Sequence, residues 1–133
     1  MGDLLKFSIP GKPDYVKMVR IAIASLASNA GFNVEAIDDI KVAVGEACKY
    51  VTCHGHDGWS NRYEVVCDIQ EEKILITVED SLEGHDLYKN TRSCANCPGE
   101  GELGVFIIET LMDEVDIIDK ADGCKSIKMV KNK

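Results

Sequence analysis

The chain has 133 residues, of which 45% are hydrophobic, so it is long enough to bury one ordinary hydrophobic core. Its 15 basic and 23 acidic residues give a net charge of -8, which argues against direct binding to nucleic acid or to an anionic membrane surface. The sequence has no apolar run of about 18 residues for a membrane span and no basic leader before an apolar segment. We therefore expect a single cytoplasmic domain over residues 1–133.

The first half of the chain predicts one strand and two helices. Residues 4–9 alternate as a strand does, and a helix begins near Asp14 and ends at Asn29-Ala-Gly31. A second helix covers Val34–Thr52, with Asn33 as its cap. Apolar residues at three- and four-residue steps predict the buried face of this second helix: Ile37, Ile40, Val44, Cys48 and Val51.

The second half predicts two hairpins on either side of a helix. Residues 62–70 and 73–79 pair as strands around Glu71-Glu72, and residues 115–119 and 124–130 pair around a turn at 121–123. Between the hairpins, residues 81–101 form an irregular segment of the kind used as a lid or binding element, and residues 103–112 form a helix. This order predicts an α+β two-layer sandwich, with a mainly antiparallel sheet and helices on one face.

Two carboxylates are candidates for chemistry. Glu46 lies on the second helix, turned away from the buried stripe and one turn before Tyr50. A general base is held on a stiff element in this way, although a solvated Glu46 paired with Lys49 gives the same pattern. Asp80 ends a buried strand and needs a donor there, which is either the exocyclic amine of a purine or a backbone N–H in the following turn.

Two further candidate features are a glycine motif before the predicted third helix and an arginine beside the buried face of the first helix. The glycines of Gly99-x-Gly101-x-x-Gly104 let backbone approach a ligand, and the free N–H groups of a helix start favour phosphate. A flexible loop before a helix would have the same composition. Arg20 is one step off the apolar stripe of the first helix, so it either lies at the rim and reaches outward or is solvated and covers apolar surface with its stem.

Four of the six cysteines form two groups. Cys48 and Cys67 fall on inward faces and are expected in the core. Cys94 and Cys97 have the spacing of half a metal site or of a redox pair, or are incidental thiols. The clustered candidates for completing a metal site are Cys53, His54 and His56, and we assign no metal ligand from them.

Four segments resemble the anti-sigma factor serine kinases, which belong to the ATPase superfamily of gyrase, Hsp90 and the histidine kinases. They are Ile9-Pro10, residues 38–44, Glu46-Ala-Cys48 and residues 108–115. The resemblance implies a histidine-kinase-like ATPase (Bergerat) fold with an ATP and magnesium site between the long helix and the segment 81–101. It also implies a homodimer that sequesters a sigma factor and phosphorylates a serine of an antagonist protein.

The resemblance also implies roles for individual residues. Glu46 corresponds to the catalytic carboxylate of the family. Nucleotide binding is implied for Asp80, which would contact adenine, and for Gly84, Gly101, Leu103 and Gly104. Arg20 stands where the family presents an arginine to the sigma factor.

Three residues depart from the family pattern, and all three fall on the nucleotide site. Tyr50 replaces the asparagine that holds magnesium, Leu82 replaces a glycine, and Glu102 replaces a small residue near the expected phosphates. The sequence therefore predicts an anti-sigma factor whose kinase activity is weakened or lost. The alternatives are an active Mg-ATP-dependent serine kinase and a thiol- or metal-responsive sensor on the same fold.

Overall fold

The computed structural model describes residues 2–52, 62–80, 100–119 and 125–133. The helices are α1 (Val16–Asn29), which follows a short 3-10 turn at Pro13–Tyr15, α2 (Val34–Thr52) and α3 (Glu100–Leu111). The strands are β1 (Asp3–Pro10), β2 (Arg62–Ile69), β3 (Lys73–Asp80), β4 (Glu114–Asp119) and β5 (Lys125–Asn132). Every predicted helix and strand is present.

The strands form one five-stranded sheet in the order β1-β2-β3-β5-β4, and each described pairing is antiparallel. Every second side chain of β2 and β3 is buried, which shows that one face of these strands points into the core. The helices cover that face, and α2 packs against α1, α3, β3 and β5. The predicted α+β two-layer architecture is confirmed.

The ends of the first two helices follow from local chemistry. Gly31 has φ of 95°, a left-handed conformation that glycine adopts without strain, and the N–H of Phe32 bonds back to the carbonyl of Ala27 at 3.1 Å. Asn33 then caps α2, since its Oδ1 accepts a hydrogen bond from the backbone N–H of Ala36 at 2.8 Å. Both predicted boundaries are confirmed.

Helix α2 carries the predicted stripe into the core. Ile40, Val44, Cys48 and Val51 are fully buried, and Ile37 is partly buried against the same cluster. Cys67 is also fully buried, as predicted. No helix in the described part of the chain is long and apolar enough to cross a membrane.

Lys131 of β5 ties α3 to α2. Its Nζ donates to the carbonyl of Leu111, the last residue of α3, at 2.6 Å, and lies 3.3 Å from Oδ2 of Asp39 on α2. A cation at a helix C-terminus satisfies a free carbonyl and interacts favourably with the helix dipole. This contact holds the end of α3 beside α2, and the start of α3 reaches the candidate site.

Candidate functional site

Glu46 and Gly104 lie in contact, where α2 meets α3. A Cβ atom added to Gly104 would come within 2.9 Å of Oε1 of Glu46, which is closer than real Cβ atoms approach their neighbours. A glycine at this position therefore lets α3 pack onto the carboxylate without displacing it. Two residues that the sequence placed in one site, far apart in the chain, are brought together.

The second oxygen of Glu46 faces a cation. Oε2 lies 3.6 Å from Nζ of Lys49, one turn later on α2, and the Glu46 side chain is 22% exposed. Both sequence interpretations of Glu46 therefore describe part of its surroundings. The carboxylate forms the expected pair with Lys49, and it also lies against the glycine motif.

Asp80 lies at the buried end of β3, with only 2% of its surface exposed. Its neighbour across the strand pair is Tyr63 of β2, a fully buried residue. Tyr63 in turn lies close enough to Cys48 of α2 to influence its ionisation. Asp80 thus belongs to a buried polar cluster beneath the same helix that carries Glu46.

The ionisation of this cluster is governed by burial. Loss of solvent raises the pKa of the Cys48 thiol to about 12, although the nearby Tyr63 side chain acts in the opposite direction. The pKa of Tyr63 is raised well above its ordinary value, first by burial and then by Cys48. Both side chains therefore stay protonated and neutral near pH 7, and neither supplies a base or a thiolate.

Gly101 and Gly104 of the glycine motif lie inside α3 rather than in front of it, and Gly99 lies outside the described residues. The helix begins at Glu100, earlier than the predicted start at residue 103, so Gly101 and Gly104 fall in its first two turns. The N–H groups of a first helical turn have no partner within the helix, so glycine destabilises a helix less there than in its interior. Acidic residues such as Glu100 also stabilise a helix start. Leu103 is 56% exposed, so it lies on the outer side of α3 while Gly104 faces Glu46.

Arg20 lies against α2 rather than reaching freely outward. Its side chain crosses Gly45, where an added Cβ would be 3.0 Å from Cδ of Arg20. Its Nε is buried and has no hydrogen-bond partner among the described residues. Sequence reasoning overlooked Gly45, although a glycine within a continuous helical pattern is itself a signal of close packing.

Tyr50 lies partly buried against the core. A phenol is a poor ligand for magnesium, which needs hard oxygens in a tight octahedron. Within residues 2–52, 62–80, 100–119 and 125–133, no group of three or more His, Cys, Asp or Glu is arranged to hold a metal ion. The donors in the described part of the site do not fit magnesium.

Several predicted residues lie outside the described part of the chain. They are Gly84 and Leu82 of the motif that begins at Asp80, Cys94 and Cys97, and the group of Cys53, His54 and His56. For Gly101 and Glu102 the structure describes the helical backbone alone.

Comparison with known families agrees with this fold. A family model for the histidine kinase-like ATPase domain matches residues 9–131. A crystal structure of the RsbU and RsbW domains of a Mycobacterium tuberculosis protein has the same fold, with a TM-score of 0.71 at 16% identity. That match covers 98% of this chain and 32% of the other, so this chain spans about a third of that protein. The family match over residues 9–131 shows that the chain belongs to the histidine kinase-like ATPase domains, and the fold agrees.

Two sequence relatives identify the family within the histidine kinase-like ATPase domains. The serine-protein kinase RsbW of Bacillus pumilus is 32% identical, in a match covering 97% of this chain and 85% of the relative. The same kinase of Listeria innocua is 37% identical, in a match covering 88% of this chain and 80% of the relative. The chain therefore belongs to the anti-sigma factor serine kinase family, as the sequence motifs predicted.

Proposed function

We propose that this protein is a cytoplasmic anti-sigma factor that binds a sigma factor and an antagonist protein, and that its ATP-dependent serine kinase activity is weakened or lost. The observation that supports the loss of kinase activity is the position of Tyr50. It stands at the metal-binding position of the family and packs partly into the core, so the site lacks the amide oxygen that would hold magnesium. Without the metal ion, phosphoryl transfer lacks its main electrostatic stabilisation.

The surroundings of Arg20 support the partner-binding part of the proposal. Arg20 is held across Gly45, so its position is set by two packed helices. On the same helix, Met18 and Ile21 are 47% and 56% exposed and offer apolar contact area. We propose this face of α1 as the sigma-factor surface.

The remaining site residues support a nucleotide pocket. Asp80 would accept a hydrogen bond from the exocyclic amine of adenine, and the N–H groups at the start of α3 would face the phosphates. In this arrangement Gly84, Gly101, Leu103 and Gly104 are proposed nucleotide-binding residues, as in the family. We also propose the family's homodimer, with β1 free to contact a second copy because it is one edge of the described sheet.

An active Mg-ATP-dependent kinase is the second candidate, because Glu46, the proposed catalytic base, is present and touches Gly104. Calorimetry with ATP and magnesium separates the two. Magnesium-dependent binding at about micromolar ATP would favour the kinase, and no heat at about millimolar ATP would exclude it. No described residue favours the third interpretation, a thiol or metal sensor.

The partner proposal is tested by measuring binding to each purified sigma factor of the source organism. We expect one of them to bind, and Arg20→Glu to weaken that binding by at least about tenfold, since it reverses a charge at the proposed interface. Lys128→Glu is the matched charge reversal, because Lys128 is exposed on β5 between two buried neighbours that face the core. Equal binding by both variants would contradict the proposal.

Restoring the family residues tests the nucleotide proposal. The triple variant Tyr50→Asn, Leu82→Gly, Glu102→Gly supplies the metal-binding amide, the missing glycine and a neutral residue near the phosphates. We expect its affinity for ATP with magnesium to rise by about tenfold or more. A triple variant that folds but binds no better would show that the site is misplaced.

A further inference from the structure

Helix α3 has apolar side chains on two sides. Ile108 is fully buried on the side that faces the core. On the other side, Phe106 is 64% exposed and Leu103 is 56% exposed, and Ile107 beside them is half-buried. These three residues and the exposed Thr110 follow one another at steps of three and four residues, so they form one stripe along the helix. We call it the outer stripe of α3.

The outer stripe is unusual for a helix in this place. Helix α2 packs against both α1 and α3, so α3 lies at one side of the helix layer. A helix there is normally polar on its outward face, and scattered apolar residues are common on surfaces, whereas a continuous apolar stripe is typical of an interaction site. The hydroxyl of Thr110 donates to the carbonyl of Phe106 at 2.8 Å, so this polar group is already satisfied within the helix.

The charge around the outer stripe has one sign. Residues 100–119 contain seven acidic residues and no Lys, Arg or His, whereas the other 16 acidic residues and all 15 Lys and Arg lie elsewhere in the chain. Two of the acids on β4 lie opposite lysines of β5. Glu109 and Glu114 are exposed, and neither forms an ion pair with another described residue. Much of the net negative charge is therefore concentrated beside an apolar stripe.

We propose that the outer stripe of α3 docks an amphipathic helix of a partner protein, whose apolar face covers Phe106 and whose basic flank meets Glu109. The partner is basic because a negative surface attracts and orients a positive one. It is a helix because side chains at three- and four-residue steps interdigitate with the matching ridges of a second helix. A second copy of this chain is disfavoured, since two α3 helices in contact would bring their acidic residues together. The surface is separate from the Arg20 face of α1, so the inference does not depend on the sigma-factor site.

A synthetic peptide of leucine and lysine, with its leucines on one helical face, serves as the probe in calorimetry. We expect it to bind with a dissociation constant of about 10 μM, and a scrambled peptide of the same composition to bind at least about tenfold more weakly. Phe106→Ser should weaken binding of the patterned peptide about tenfold, because it removes a large apolar contact. Glu109→Lys should weaken it about threefold or more, because attraction becomes repulsion.

Matched controls lie on other parts of the surface. Val34 is 74% exposed at the start of α2, and Glu71 is exposed between β2 and β3. Val34→Ser and Glu71→Lys should therefore bind the peptide as the unmodified protein does. Thermal melting checks that each variant is folded, which we expect because all four side chains are exposed.

Four results would overturn the proposal. The first three are no binding of the patterned peptide, equal binding of the scrambled peptide, and binding that Phe106→Ser or Glu109→Lys leaves unchanged. The fourth comes from sedimentation: self-association that Phe106→Ser abolishes would assign the outer stripe to a second copy of the chain.

Discussion

Removing the side chain that ties α3 to β5 and α2 should destabilise the protein measurably. In Lys131→Met the carbonyl of Leu111 loses a donor at 2.6 Å, and Asp39 loses an ion pair at 3.3 Å. Lys131 is only 14% exposed, so water replaces these contacts poorly. Methionine preserves most of the side-chain volume, so the change tests the polar contacts rather than the packing.

The magnitude follows from the two contacts. A hydrogen bond from a charged donor contributes about 1.5 to 3 kcal/mol, and the partly exposed pair with Asp39 adds less than about 1 kcal/mol. We expect a loss of about 2 kcal/mol in the free energy of unfolding, or about 6 to 8 °C in melting temperature for a chain of this size. Urea titration and thermal melting both measure it.

Lys128→Met is the control, because Lys128 lies on the same strand and is exposed. It should change the free energy of unfolding by less than about 0.5 kcal/mol. Equal stability of the two variants would refute the reasoning that Lys131 anchors the end of α3. Adding Asp39→Asn to Lys131→Met should cost little more, since the partner of Asp39 is already gone.

Three other variants or conditions test separate parts of the structure. Asn33→Ala should lower the free energy of unfolding by about 1 kcal/mol and Asn33→Asp by much less, as read from urea midpoints; equal losses would show that the cap is not used. Gly104→Ala should raise the free energy of unfolding by less than the ordinary helical preference of about 1 kcal/mol for alanine over glycine, because the added methyl group displaces Glu46. In a Glu46→Ala background the same substitution should raise the free energy of unfolding by the full amount. Burial raises the pKa of Cys48 and of Cys67 from 9.0 to about 12, so these thiols ionise at lower pH in the unfolded chain than in the folded protein. The free energy of unfolding should therefore be constant below about pH 9 and fall between pH 9 and pH 12. A rise in that pH range would contradict the burial of the two thiols.

The elements and the core could be predicted because their signals are local. The cap at Asn33, the left-handed Gly31 and the apolar stripe of α2 each act within a few residues, and both ends of α2 were predicted correctly. The alternation in β2 and β3 likewise follows from the period of an extended chain. The start of α3 was predicted too late, since its glycines were interpreted as a loop although a first helical turn tolerates them.

The contacts within the site depend on how helices pack, which no local pattern contains. The approach of Gly104 to Glu46 is set by the crossing of α3 over α2, and the family resemblance rather than the periodicity placed these residues together. Arg20 was predicted either to reach outward from the rim or to be solvated with its stem over the protein surface, and the glycine that accommodates the stem, Gly45, lies on the neighbouring helix. Tyr50 falls on the outer side of α2 by helical spacing, yet its large ring turns partly onto the core.

Transcription in vitro tests the central claim most directly. RNA polymerase is reconstituted with each sigma factor of the source organism in turn, and transcript yield is measured as this protein is added without ATP. We predict that transcription directed by one sigma factor is inhibited, and that Arg20→Glu relieves the inhibition while Lys128→Glu does not. Undiminished transcription with every sigma factor would contradict the claim that this protein is an anti-sigma factor.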